Sequence, residues 1–155
     1  MGIWLGRCRV LVPALWAGAL ICIAAIATPA PFATLSTADA GRVVARIFAQ
    51  EAYASLALGL ALLLLERRYA IVQARRVAGS RLSTDMLLVL TALFCTIAGY
   101  FALQPLLDAA RAGHGVLSFG QLHAVSLGLF ALKIVVVLAL ALRASTQLVS
   151  APRTS

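Results

Sequence analysis

Apolar residues run along this chain in four long blocks, each closed by polar or chain-breaking residues. The blocks cover 10–28, 43–65, 86–103 and 119–142. At 1.5 Å rise per residue, about twenty residues of α-helix cross a hydrocarbon layer of about 30 Å, so each block is long enough to span a membrane. The first follows Arg7 and Arg9 and ends at Thr28-Pro29-Ala30-Pro31. Residues 32–40 form a short polar connection. The second block stops at Glu66-Arg67-Arg68. Its helix is expected to continue past the membrane, because 69–77 contains no Gly or Pro; Gly79 and Ser80 then break it. The third has Ser83, Thr84 and Asp85 as N-cap candidates. Gln104-Pro105 marks its end, since proline disfavours helical backbone at the residue before it. Residues 106–118 lead to the fourth block, with a short interfacial helix expected at 106–111. The pattern predicts an all-α fold, a four-helix transmembrane bundle forming a single integral membrane domain over 1–155.

Composition strengthens this reading. The 155 residues are 63% hydrophobic and 12% charged, with mean hydropathy +1.00. Soluble domains are nearer 45–50% apolar and about 25% charged. The net charge of +8 sits mostly between the apolar blocks, without a basic helix interleaved with aromatics. It is read as topology-setting and lipid-facing, with the lipid bilayer as partner and no nucleic acid. Arg7, Arg9, Arg67, Arg68, Arg75, Arg76, Arg81, Arg143 and Arg153 lie on one side of the predicted bundle, against Arg42, Arg46 and Arg111 on the other. The positive-inside rule therefore puts both termini and the arginine-rich connection 66–84 in the cytoplasm. A cleaved signal peptide is the rival for the first block, because ATPAPFA offers small residues. The block is long for that role, and a retained helix is expected. An Arg-rich, Ala-rich and Lys-poor composition suggests a bacterium with a GC-rich genome, and the expected location is its inner membrane. Cys8, Cys22 and Cys95 lie in or beside apolar blocks in an odd number, which argues against a disulfide framework.

Polar residues inside the blocks carry the candidate chemistry, because an ionisable group in a membrane needs a partner, a cavity or water. Glu51 is the most informative. Its candidate partners are Arg46, Arg42, Tyr100 and Lys133, which lies at comparable depth in the fourth block. Alternatively, Glu51 is a proton or cation site in a polar cavity. Arg42, Arg46 and Gln50 share a helix face at i, i+4 spacing and suit lipid headgroups or an anion at the outer mouth. Lys133 shares a face with His123, Ser126 and Phe130. His123 is the one histidine expected in a helix and a candidate haem or copper ligand, while His114 is expected in a solvated loop. Small residues mark expected contact faces: Gly18 and Cys22, Ser55 and Gly59, Thr91, Cys95 and Gly99, then Gly120, Ala124 and Gly128. No P-loop, zinc-protease motif, GxSxG or EF-hand loop is present.

These residues also carry a resemblance. The stretches LWAG at 15–18, APFATL at 30–35, 40–53, GYFALQP at 99–105 and FGQLH at 119–123 resemble the small bacterial membrane proteins with the transmembrane-protein-205-like domain, a domain of unknown function. The resemblance implies a four-helix integral membrane protein without an assigned activity. It also implies that Tyr100 stands where many relatives carry histidine and that Lys133 is unusual. A more remote likeness of architecture is to the copper resistance protein D group and the membrane haem-binding oxidases of tetrapyrrole synthesis.

Three readings follow. The first is a small multi-pass inner-membrane protein with a non-catalytic role. The second is a transporter or channel component with Glu51, Arg46 and Lys133 lining a cavity; four helices are narrow, so a pathway would need a homo-oligomer. The third is a haem- or metal-binding redox protein using His123. A cavity reaching Glu51 favours the second, His123 beside Tyr100 or Cys95 the third, and a dry centre the first.

Overall fold

The computed structural model describes residues 2–74, 83–114 and 116–149. These residues are helical with no strand among them, and four helical stretches are long and apolar enough to cross a membrane. α1 (Gly2–Cys22) runs through a π-helical turn (Ile23–Ala27) into α2 (Pro29–Thr34). α3 (Thr37–Ala74) is the longest element. α4 (Thr84–Thr96) runs through a second π-helical turn (Ile97–Ala102) into α5 (Leu103–Arg111), and α6 (Phe119–Val149) completes the bundle. Of the arginine-rich connection, Arg75, Arg76 and Arg81 lie outside the described residues, as do Gly79 and Ser80.

The helices form a ring. α1 packs on α3 and α6, and α4 packs on the same two. Each presents one stripe to the centre. On α1 it is Arg9, Pro13, Trp16, Ala17 and Leu20; on α3 it is Glu51, Ala52, Ser55, Gly59, Leu62 and Glu66. α4 buries Asp85, Val89, Ala92, Leu93, Cys95 and Thr96. α6 buries Lys133, Val136, Val137, Leu140 and Ala144. The dry middle of the core is Trp16, Leu20, Leu62, Val89, Val137 and Leu140. Large apolar side chains such as Leu15, Phe94, Leu132 and Leu142 point outward, as a lipid-facing surface requires.

The prolines do not end the helical stretches as the sequence suggested. Proline lacks an N–H, and its ring clashes with the carbonyl four residues back. Both problems are absorbed by a wide turn placed immediately upstream. Thr28 N donates to Ile23 O at 2.9 Å, an i→i−5 bond, just before Pro29 and Pro31. Ile97–Ala102 precedes Pro105 in the same way. The helical path therefore passes through Gln104-Pro105 to Arg111, and the expected polar connection after Pro31 shrinks to a break at Leu35 and Ser36. Ser83 is the N-cap of α4, accepting from Met86 N at 3.2 Å. α5 closes at Gly113, whose φ of 77° is the left-handed conformation that glycine tolerates.

Two expected contact faces are corrected. Gly18 and Gly128 have no neighbour near a hypothetical Cβ, and Cys22, Gly120 and Ala124 are exposed. In a ring surrounded by lipid, small residues are equally acceptable on the outer face, so they do not by themselves mark a contact. Gly59 does: a Cβ there would lie 2.5 Å from the Leu93 side chain.

Candidate functional site

Buried charge falls in two layers, and α3 supplies a carboxylate to each. Glu51 and Glu66 share the stripe 51, 55, 59, 62, 66, and are separated by about 22 Å of helix.

In the first layer, Lys133 Nζ donates to Glu51 Oε1 at 2.7 Å and Oε2 at 3.0 Å. Both side chains are buried, at 4% and 6% exposure. Ser55 Oγ donates to the same Glu51 Oε1 and accepts from Trp16 Nε1 at 2.9 Å. Lys133 also lies 4.9 Å from the Phe130 ring centroid, within reach of a cation–π attraction. The pair bridges α3 and α6, which sit diagonally across the ring. A long lysine side chain suits that gap. Of the partners considered for Glu51, the structure selects Lys133. Arg42 instead pairs with Asp39 on its own helix, Arg46 is exposed outside the site, and Tyr100 packs edge-on against Phe101 with centroids 5.1 Å apart.

A cavity of about 610 Å³ leads to this pair, within the usual range for small-molecule sites. Its floor is Glu51, Lys133, Cys95 and Thr96. One turn above, Phe48 and Phe130 meet edge to face with centroids 5.1 Å apart. The next levels hold Tyr100, Ser126, Leu127, Gln104 and His123. At the mouth stand Arg42, Arg111 and Phe119, where α3 begins, α5 ends and α6 begins. Arg111 pairs with Asp108 at 2.8 Å and lies 4.9 Å from the Phe119 ring centroid. Phe119 in turn stacks on His123 with centroids 5.6 Å apart. Lys133, His123, Ser126 and Phe130, grouped on one face by spacing, all line the cavity. So do Tyr100 and Gln104 from the facing helix. Among the described residues no group of three His, Cys, Asp or Glu side chains could hold a metal ion.

The second layer went unseen in the sequence. Arg9 donates from Nε to Glu66 Oε1 at 2.6 Å and from Nη2 to Glu66 Oε2 at 2.8 Å. Nη2 also reaches Asp85 Oδ2 at 3.2 Å. Arg143 donates to Asp85 Oδ1 at 2.8 Å, and Gln147 to Asp85 Oδ2 at 3.0 Å. The Arg9 guanidinium lies 3.8 Å from the Tyr69 ring centroid. One charged residue from each of the four long helices thus meets in a balanced clasp of two cations and two anions. Arg9, Glu66 and Asp85 are 6%, 3% and 4% exposed. By sequence alone, Arg9 reads as a topology signal, Glu66 as a helix stop and Asp85 as a cap. The spacing of Glu66 from Glu51, Ser55 and Leu62 was the available signal, because it places Glu66 on the inward stripe.

The family described as a domain of unknown function, DUF4149, matches residues 11–115. The chain belongs to this family. The matched stretch contains Glu51, Glu66 and Asp85; their basic partners Lys133, Arg9 and Arg143 lie outside it. No curated protein matches the chain, and no solved structure does.

Proposed function

We propose that this protein is a small, non-catalytic, multi-pass membrane protein that receives a solute from one face of the membrane and holds it above the Glu51–Lys133 pair. The observation that carries this reading is the cavity of about 610 Å³ that runs from the mouth arginines down to the pair. A buried ion pair alone is a structural element as readily as a site. An ion pair at the floor of a ligand-sized cavity is placed to meet whatever enters. Passage onward is blocked by the packed core and the clasp below, so the protein serves as the receiving half of a transport pathway that a homo-oligomer or a rearranged bundle completes. The arginine distribution supports an inner-membrane orientation with both termini cytoplasmic, which turns the mouth away from the cytoplasm. The likeness to the transmembrane-protein-205-like group supports the same four-helix membrane architecture and adds no activity.

Water access tests the reading. In a variant with Cys8, Cys22 and Cys95 replaced by Ser, single cysteines are introduced by S126C, inside the cavity, or V125C, which is 53% exposed on the outer wall beside it. A membrane-impermeant thiol reagent applied to reconstituted vesicles is expected to modify the first and spare the second. Equal modification of both, or protection of both, overturns the proposal.

A further inference from the structure

The lining of the cavity identifies the class of ligand, on the premise that the cavity is the receiving site described above. We infer that it takes an amphipathic anion, a single-chain molecule with a carboxylate or phosphate head held between Arg42 and Arg111 and its apolar body between the aromatic side chains below. Three observations support this.

The first is charge. Arg42, Arg111 and Lys133 line the cavity against a single carboxylate, Glu51. That carboxylate is already engaged by Lys133 on both oxygens and by Ser55. A cation entering the cavity would find its one lining carboxylate engaged, whereas an anion finds two guanidinium groups at the rim, each shared with an exposed aspartate. The second is the partners those arginines now have. Each is held by an aspartate three residues away on its own helix, Arg42 by Asp39 and Arg111 by Asp108. Arg42 is 76% exposed and Arg111 49%, and exposed pairs of this kind are weak. They orient the arginines while leaving spare N–H groups for a planar oxyanion, which guanidinium recognises with two parallel bonds. The third is the wall between mouth and floor. Phe119, Leu127, Phe130 and Phe48 make it mostly apolar over about 14 Å, the rise of α3 from Arg42 to Glu51, with Ser126 and Gln104 as polar interruptions. A small inorganic anion would leave that length unfilled, and a fully apolar molecule would leave the rim unpaired.

Head groups of this class come either from an anionic lipid of the bilayer or from a soluble amphiphile, and one binding experiment separates them. The protein is placed in phosphatidylcholine nanodiscs and titrated with tritiated decyl phosphate by scintillation proximity, with empty nanodiscs as background. Saturable binding is expected, and decanol, of the same chain length without charge, should not compete. R42Q and R111Q should each weaken binding about tenfold, the usual scale for losing a charge-assisted hydrogen bond. D39N and D108N, which free the same arginines, should strengthen it. Adding phosphatidylglycerol to the nanodisc abolishes decyl phosphate binding if the natural occupant is a membrane lipid and leaves it unchanged if the ligand arrives from water. Competition by decanol equal to that by decyl phosphate, or no effect of R42Q and R111Q, overturns the inference. If S126C is modified from water while decyl phosphate fails to bind, the ligand class is wrong and the receiving cavity stands. If S126C is protected, the cavity reading itself falls.

Discussion

Glu51 and Glu66 occupy the same face of one helix about four turns apart, and their surroundings differ in a way that assigns them different work. Glu66 is locked by Nε and Nη2 of Arg9, with Tyr69 stacked on the guanidinium and Asp85, Arg143 and Gln147 closing the set. Every long helix contributes, and charge balances within the layer. Glu51 meets one cation, Lys133, and the two stand at the floor of a cavity. The clasp resembles a fastening and the pair resembles a floor. Burial percentages are similar in the two layers, so burial alone does not separate a structural ion pair from a site. The number of helices joined and the presence of space beside the charge do.

The largest effect is expected where one residue serves two cations. Asp85→Asn leaves Arg9 and Arg143 sharing a single carboxylate, and breaking a buried network of this kind costs about 3–5 kcal/mol. Thermal unfolding in detergent should show a large drop in midpoint, and an unchanged midpoint would mean that the clasp is solvated. Gly59 lies between the layers, against Leu93. Gly59→Val should cost about 1–3 kcal/mol through overpacking. If it is neutral, the seal separating cavity from clasp is looser than the packing indicates.

A double-mutant cycle sharpens the comparison further. Lys133→Met alone leaves Glu51 without its cation, whereas Lys133→Met with Glu51→Leu removes both charges. With Glu51→Leu alone completing the cycle, the double variant should lose less than the sum of the two single losses, by about 1 kcal/mol or more, the coupling expected of residues in contact. Additive losses would show that the pair does not interact in the membrane. At the small end, Gly128→Ala should shift stability by no more than about 0.5 kcal/mol, since nothing lies within 4 Å of the added carbon. A larger loss would place that outer face against another helix, as a homo-oligomer would.

Much of the bundle was legible in the sequence because a membrane leaves few options. Four apolar blocks without an alternative way to satisfy backbone hydrogen bonds become four helices. Lys133 was also legible as a residue needing a partner, and His123, Ser126 and Phe130 were correctly grouped with it. Pro29 and Pro105 were misread as stops, because the wide turns that accommodate them leave no mark in single-residue propensity. Gly18, Cys22, Gly120 and Gly128 were misread as contacts, because lipid tolerates small residues as well as a neighbouring helix does. The clasp was missed for a different reason. Arg9, Glu66 and Asp85 lie near the ends of apolar blocks, where charge ordinarily reports topology or capping. Only the approach of four helix ends from distant parts of the chain turns them into one network. The cavity likewise depends on α3 and α6 standing diagonally apart, which no local pattern records.

The most direct test removes the cation from each layer by the same kind of change. Arg9→Met and Lys133→Met both keep an apolar stem and both abandon a buried glutamate. Their unfolding midpoints should be measured side by side in the same detergent. Arg9→Met should lose far more stability, because Glu66, 3% exposed, loses both hydrogen bonds from Arg9, while Glu51 keeps the Ser55 hydroxyl and gains water through the cavity. Equal losses would contradict the account, since they would mean that the Glu51–Lys133 layer is as closed as the clasp.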